Sequence, residues 1–396
     1  MPSATFWRIP ERSVVIGGIA ATLSVAAMLL WGAADRDSPA VPQPLQVDAV
    51  VIDLDGGGDP MLRLAATWRA LQLQPGDADA ATRYAGLALK FYGTSGDARF
   101  LGYAEGALAP WREAMNPPRS VWLLRGRILQ TQHRFADAGS DLDRLLAAHG
   151  DSVEARLLAA DAWRRVGDIG RARSRCAGLV FAGWPYLARY CAADILLSLG
   201  KVEEAHEVLT SGVTVSADVP AETVQWTLAV AADVATAADR IDEARSLFEQ
   251  TLAIPGAGIA LHVAYADLLL GEGRPQDAVD ALSDLPDADA VLLRRAIAAR
   301  RLGLDSFDQL RERLRARFAD AGAFDTTRLH LREQALFELL VEDNPHAALA
   351  LAEENWTLQK SWEDAALLIQ AARAAGRPEA AHPVKDWRSK FNRRAA

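Results

Sequence analysis

Cysteine is almost missing from this 396-residue chain, which holds only Cys176 and Cys191. Two sulfurs cannot build a disulfide scaffold or a four-Cys zinc site, and 15 positions apart they form no CxxC redox centre. An oxidising compartment allows a bridge between them, but Cα atoms on stacked helices often lie beyond the ~7 Å limit. Two packed thiols are therefore the expectation and a disulfide the alternative. Methionine is equally scarce, at 4 residues, which argues against the adaptable Met-lined surface of a client binder. Basic charge is in deficit: 43 Lys and Arg face 52 Asp and Glu, a formal net charge of −9. That balance excludes nucleic acid as the main partner, since duplex binding rests on clustered cations neutralising phosphates. Aromatics make up 7%, yet 11 of them are Trp.

Recognisable catalytic signatures are lacking as well. No GxxxxGK[ST] phosphate loop, HExxH or GxSxG occurs. The seven His, at 133, 149, 206, 262, 330, 346 and 382, are scattered too widely to form a metal site by sequence. Neither catalysis nor a metal or small-molecule cofactor is expected.

What the chain does have begins with an uncharged run, Ser13–Ala34, after Arg8 and Arg12. A bilayer span needs ~20 mostly apolar residues, so this run reads as a transmembrane anchor. Gly32-Ala33-Ala34 also offers small residues that a signal peptidase would accept, so a cleaved signal stays open. Basic residues before the run place residues 1–12 in the cytoplasm and the bulk outside. High Ala and Arg usage points to a bacterial inner membrane with a periplasmic bulk, secreted to the periplasm if the run is cleaved. Residues 35–58, with Pro39, Pro42, Pro44 and Gly56-Gly57-Gly58, read as a linker. Within it, Val47–Leu54 is β-prone and able to pack on the first helices. Asp53, Asp55 and Asp59 miss the calcium-loop spacing, because Gly57 stands where a third ligand belongs.

From Asp59 to Val384 apolar residues recur at three- and four-residue steps, with Pro and Gly between segments. Small residues twelve apart repeat along this stretch: Gly126/Ala138, Ala160/Ala172, Ala193/Ala205, Ala232/Ala244 and Ala266/Ala278. Their first members are 34, 33, 39 and 34 residues apart. Gly167, Gly200 and Gly273 fall seven residues after a first member. This is the pattern of a helical hairpin. Small residues let two helices cross closely, glycine ends the first helix with φ > 0, and neighbouring hairpins must stack to bury their stripes.

The pattern resembles the tetratricopeptide repeat, whose period is 34. Weaker copies flank it at Gly86/Ala98, at Ala296 (with Asp308 in the second place) and at Ala335/Ala347, and a degenerate hairpin covers Ser361–Val384. The expected fold is all-α: an α-solenoid of about eight hairpins over residues 59–384, followed by a basic tail at 385–396. Trp111, Trp122, Trp163, Trp356 and Trp362 read as structural, at hairpin ends and seams.

One pattern exceeds a scaffold. The residue after the first small residue is Asp in four successive repeats, Asp161, Asp194, Asp233 and Asp267, with Arg127 in the copy before them. The resemblance implies that this place lines a concave groove where peptides are held. Stacked helix layers about 10 Å apart would make a carboxylate ladder suited to a basic peptide. The alternative is that each Asp pairs with a nearby Arg, such as Arg164, Arg165 or Arg189, and locks neighbouring repeats. The expected function is a membrane-held protein-interaction scaffold, with a periplasmic chaperone or assembly factor as the alternative.

Overall fold

A computed structural model describes residues 60–150, 152–210, 220–323 and 330–392. The apolar run at 13–34 and the linker at 35–58 lie outside them. Among the described residues no helix is long and apolar enough to cross a membrane.

Every regular element described is helical. Helix α1 (Pro60–Leu73) precedes eight hairpins: α2/α3 (Ala78–Ser95, Ala98–Ala107), α4/α5 (Arg119–Thr131, Phe135–His149), α6/α7 (Val153–Val166, Ile169–Phe181) and α8/α9 (Pro185–Ser198, Val202–Thr210), then α10/α11 (Ala221–Ala237, Ile241–Leu252), α12/α13 (Ile259–Gly271, Pro275–Leu282), α14/α15 (Asp289–Leu302, Ser306–Ala323) and α16/α17 (Leu331–Leu340, Pro345–Leu358). A last pair is α18 (Trp362–Ala374) and α19 (His382–Asn392).

The small-residue pairs sit where the helices cross. Ala138, Ala172, Ala205, Ala244 and Ala278 are fully buried, as are Ala193, Ala232 and Ala266. A Cβ added at Gly126 would come within 2.8 Å of the Leu142 side chain, and one at Gly139 within 2.6 Å of the Trp163 ring. Gly167 ends α6 at φ 92°, its amide donating to the Trp163 and Arg164 carbonyls. His133 and Asp239 take the same left-handed turn at φ 57° in the two repeats that lack the glycine. There the hairpin geometry overrides the penalty a Cβ carries in that region.

Three departures from the sequence pattern are local. In the α16/α17 hairpin the turn is one residue longer, with Asp343 at φ 57°, so Ala348 and not Ala347 is the buried small residue. Asp308 is exposed, so α15 packs through Leu314 and the flanking Phe307, Leu310 and Phe318 instead of a small residue, and Arg side chains tie its outer side. Arg311 and Arg315 reach Glu342 at 2.7 and 2.6 Å, Arg313 reaches Asp287 at 2.5 Å and Arg317 reaches Asp289 at 2.7 Å. The expected tail at 385–396 is instead continuous with the fold through residue 392, as α19. Its charge masks an apolar stripe: Val384 and Trp387 are buried, and the Trp387 ring meets Trp356 at 5.7 Å and Phe391 at 5.6 Å.

The array winds far enough to meet itself. Arg388 of α19 donates to the Ser198 carbonyl at 3.2 Å, across 190 residues of sequence. A Cβ at Gly167 would strike the Trp387 indole at 2.9 Å, and one at Gly96 would strike Ala288 at 2.6 Å. Superhelical closure therefore brings the last helix against the ends of α6 and α8.

Candidate interaction surface

On four successive hairpins, the residue after the buried small residue of the first helix is a half-buried Asp. Asp161, Asp194, Asp233 and Asp267 occupy that place on α6, α8, α10 and α12. Buried arginines interleave them. Arg164, 5% exposed at its side chain, bridges two repeats: Nη2 reaches Asp161 Oδ1 at 2.5 Å and Nε reaches Asp194 Oδ2 at 2.9 Å. Arg165 adds a second contact to Asp161 at 3.0 Å, and Gln130 donates to the same carboxylate at 3.0 Å. Arg294 of α14 grips Asp267 with two bonds, at 2.8 and 2.7 Å. Arg127 is not part of this line and pairs with Glu154. Arg189 turns away and donates to the Val208 carbonyl.

Three of the four carboxylates are thus joined to Arg, two of them across a repeat boundary. Asp233 differs: no hydrogen bond or ion pair reaches its carboxylate among the described residues. Burial pushes Asp233 well above the usual aspartate range, and Glu363 and Asp194 push it further than Arg164 and Arg332 pull it back. Asp194 is also raised, by burial first, against the pull of Arg164. At Asp161 burial is outweighed by Arg165 and Arg164, which hold the carboxyl below its ordinary value.

Sequence periodicity missed the other half of this network, because α18 closes onto it from the far end of the chain. Asp364, 1% exposed, accepts from Arg332 Nε at 2.8 Å and Asn355 Nδ2 at 2.7 Å, and joins Ser361 in a capping box. Burial would raise its pKa, but Arg332, Ser361 and Asn355 bring it below the usual range. Glu363 is its neighbour on the same turn. Neither residue follows a small-residue mark of the kind that flags the ladder, and only their charge in the first turn of a helix was visible. The cleft beside Ala160, Asp161, Arg164 and Asp194 encloses only about 10 Å³, far below the ~300–1,000 Å³ of ordinary small-molecule pockets. Among the described residues no group of three or more His, Cys, Asp or Glu is arranged to hold a metal ion.

Cys176 of α7 and Cys191 of α8 are disulfide-bonded, with Cα atoms 5.6 Å apart. The expectation of two packed thiols is corrected. These helices are sequential and joined by residues 182–184 alone, which keeps their adjoining backbones close.

No protein-family model matches the chain, and none of the curated proteins does. Solved structures with a similar course include a tetratricopeptide repeat protein from Parabacteroides merdae, at 13% identity over 74% of this chain and 98% of that one, with a TM-score of 0.34. A Rap protein complexed with competence and sporulation factor aligns at 11% identity over 84% and 93%, with a TM-score of 0.44. Yeast Tom70 aligns at 13% over 85% and 82%, with a TM-score of 0.36. Such distant likeness carries no argument. The assignment rests on the hairpins themselves: their period, the small residues twelve apart at each crossing and the left-handed turn between. The repeats are stacked helical hairpins. In this array of helical hairpins the line of Asp residues is a charge-paired seam, with Asp233 as its exception among the described residues.

Proposed function

We propose that this TPR-type solenoid is a non-catalytic scaffold that binds a partner protein on its inner face, at a basic segment of that partner. The observation that carries the reading is Asp233. Its neighbours in the ladder are paired with Arg164, Arg165 and Arg294, whereas Asp233 faces Glu363 and Asp194 without an ion pair among the described residues. A Lys or Arg from a partner would find there a carboxylate that Arg164 and Arg332 only partly offset, in surroundings that focus its field. The charged lining does not suit a chaperone that takes unfolded apolar clients.

The scaffold is proposed to stand on the periplasmic side of a bacterial inner membrane, held by residues 13–34. The Cys176–Cys191 bond supports that location, because disulfides persist in oxidising compartments. Crosslinking in native membranes with mass spectrometry names the partner. Capture of that partner should then weaken, and lose salt dependence, in Asp233→Asn and Glu363→Gln. Capture at wild-type strength by both variants would overturn the docking site.

A further inference from the structure

Every hairpin turns through one residue in the left-handed region, and six of these residues are glycine: Gly96, Gly167, Gly200, Gly273, Gly303 and Gly376. They differ in what stands over them. Among the described residues, a Cβ at Gly273, Gly303 or Gly376 would meet open space. One at Gly167 would strike the Trp387 indole, and one at Gly200 would come within 2.8 Å of the Arg388 guanidinium. Helix α19 therefore seats on the ends of α6 and α8, which it reaches across 190 residues of sequence.

The two sides of α19 differ in chemistry. Val384 and Trp387 are buried and Phe391 is half-buried, while His382, Lys385, Asp386, Ser389 and Lys390 are exposed. Arg388 donates to the Ser198 carbonyl in the last turn of α8, where a helix end leaves carbonyls without partners and its dipole favours a cation. The helix before it, α18, runs onto the Asp ladder. Trp362 packs against the cluster of Ala193, Leu197, Val230 and Val234 on α8 and α10. The next residue, Glu363, adds to the charge that raises Asp233 and Asp194. The seated α18/α19 pair thus gathers carboxylates from α8, α10 and α18, against the partial offset of Arg164 and Arg332. Apolar burial and the Arg388 bond favour the closed turn, and like charge opposes it. A balance of this kind is shifted by whatever supplies positive charge to the closed state.

We infer that the α18/α19 pair is a clamp: Trp387 and Arg388 hold Glu363 near Asp194 and Asp233, and a cationic segment docked among those carboxylates closes the pair more firmly. The inference rests on the docking site proposed above and adds a moving part to it. Site and clamp are coupled, so each stabilises the other by the same factor. The docked cation then meets carboxylates from helices far apart in the chain, which only the seated clamp brings together.

The test uses the full chain in detergent at low salt, with decalysine as the cationic probe. Cys176 and Cys191 are bonded to each other, so nitroxides go only to introduced cysteines. Glu203→Cys on α9 with Ser389→Cys on α19 spans the seat, and Glu203→Cys with Ala136→Cys on α5 is the control, all at exposed positions. Spin–spin distances for the first pair should contain a longer component that decalysine removes, and that Glu363→Gln removes without it. Trp387→Ala with Arg388→Ala should enlarge that component and weaken decalysine binding by on the order of tenfold, while the control pair stays unchanged. A first pair that responds to neither decalysine nor Glu363→Gln overturns the clamp, and both of those measurements keep the Trp387 seat intact. Should the control pair broaden in the double variant, Arg388→Gln takes its place, and wild-type decalysine affinity in Arg388→Gln overturns the clamp. The docking site is read separately. Decalysine affinity that Asp233→Asn leaves unchanged sinks that site, whereas the response of the first pair to Glu363→Gln still decides whether charge works against the seat.

Discussion

Arg164 of α6 and Asp194 of α8 meet across a repeat boundary, Nε to Oδ2 at 2.9 Å, while the same guanidinium holds Asp161 on its own helix. Removing it strands two partly buried carboxylates at once. Arg164→Met should therefore destabilise by about 3–5 kcal/mol in urea unfolding, the usual cost of breaking a buried pair from one side. Adding Asp194→Asn should restore part of that loss, because the two sites couple. Simple additivity of the two changes would show that the bridge contributes nothing.

Asp233 should behave in the opposite way. Its folded pKa lies above the ordinary 3.8, so the folded state holds the proton more tightly than the unfolded chain does. The resulting penalty is absent below that ordinary value and grows as pH rises through the folded pKa. Asp233→Asn should thus raise the melting temperature at pH 7 and give no gain near pH 3. Asp267→Asn, which strands the buried Arg294, should cost about 3 kcal/mol at pH 7. A lowered melting temperature for Asp233→Asn at pH 7 would mean that the carboxylate has a partner it needs.

Glu342 supplies a second pH signature with the reverse sign. Hydrogen bonds from Arg311, then Arg315, hold its carboxyl down to about 2, against an ordinary 4.5. Its contribution to stability is present above 4.5 and is lost as pH falls toward about 2. Wild type and Glu342→Gln should differ in denaturation midpoint at pH 7 and converge by pH 2. A constant difference across that range would remove the charge from the explanation.

The Cys176–Cys191 bond closes a span of 15 residues, and constraint of the unfolded chain by such a loop is worth about 3 kcal/mol. Reductant, or Cys176→Ser with Cys191→Ser, should lower the melting temperature accordingly. Thiol titration of the unreduced, unfolded chain should find no free sulfhydryl.

Ala193 is fully buried where α8 crosses its neighbours, whereas Ala350 on α17 is exposed. Ala193→Leu should cost about 1–3 kcal/mol through overpacking, and Ala350→Leu no more than about 0.5 kcal/mol either way. Equal unfolding midpoints would count against the register in which the hairpins are paired.

That register is legible in the sequence alone, because everything that sets it is short-range. Small residues at positions 160 and 172, 193 and 205, or 266 and 278 lie within one hairpin, and the left-handed turn at Gly167 or Gly200 is a property of four or five residues. So the sequence by itself determined the all-α hairpin array, and the placement of Asp161, Asp194, Asp233 and Asp267 on equivalent positions. What those carboxylates face depends on the superhelical turn accumulated over many repeats, which no single repeat encodes. Only the tertiary structure brought Arg388 to Ser198, set Glu363 near Asp233, gave Asp267 to Arg294, and left Asp233 without an ion pair among the described residues. It also set the Cys176 and Cys191 backbones close enough to bond, and turned a basic tail into α19 by offering Trp387 a cavity lined by Trp356 and Gly167. Periodicity is a local sum of steric preferences, whereas charge pairing is decided by distances that only the closed superhelix defines.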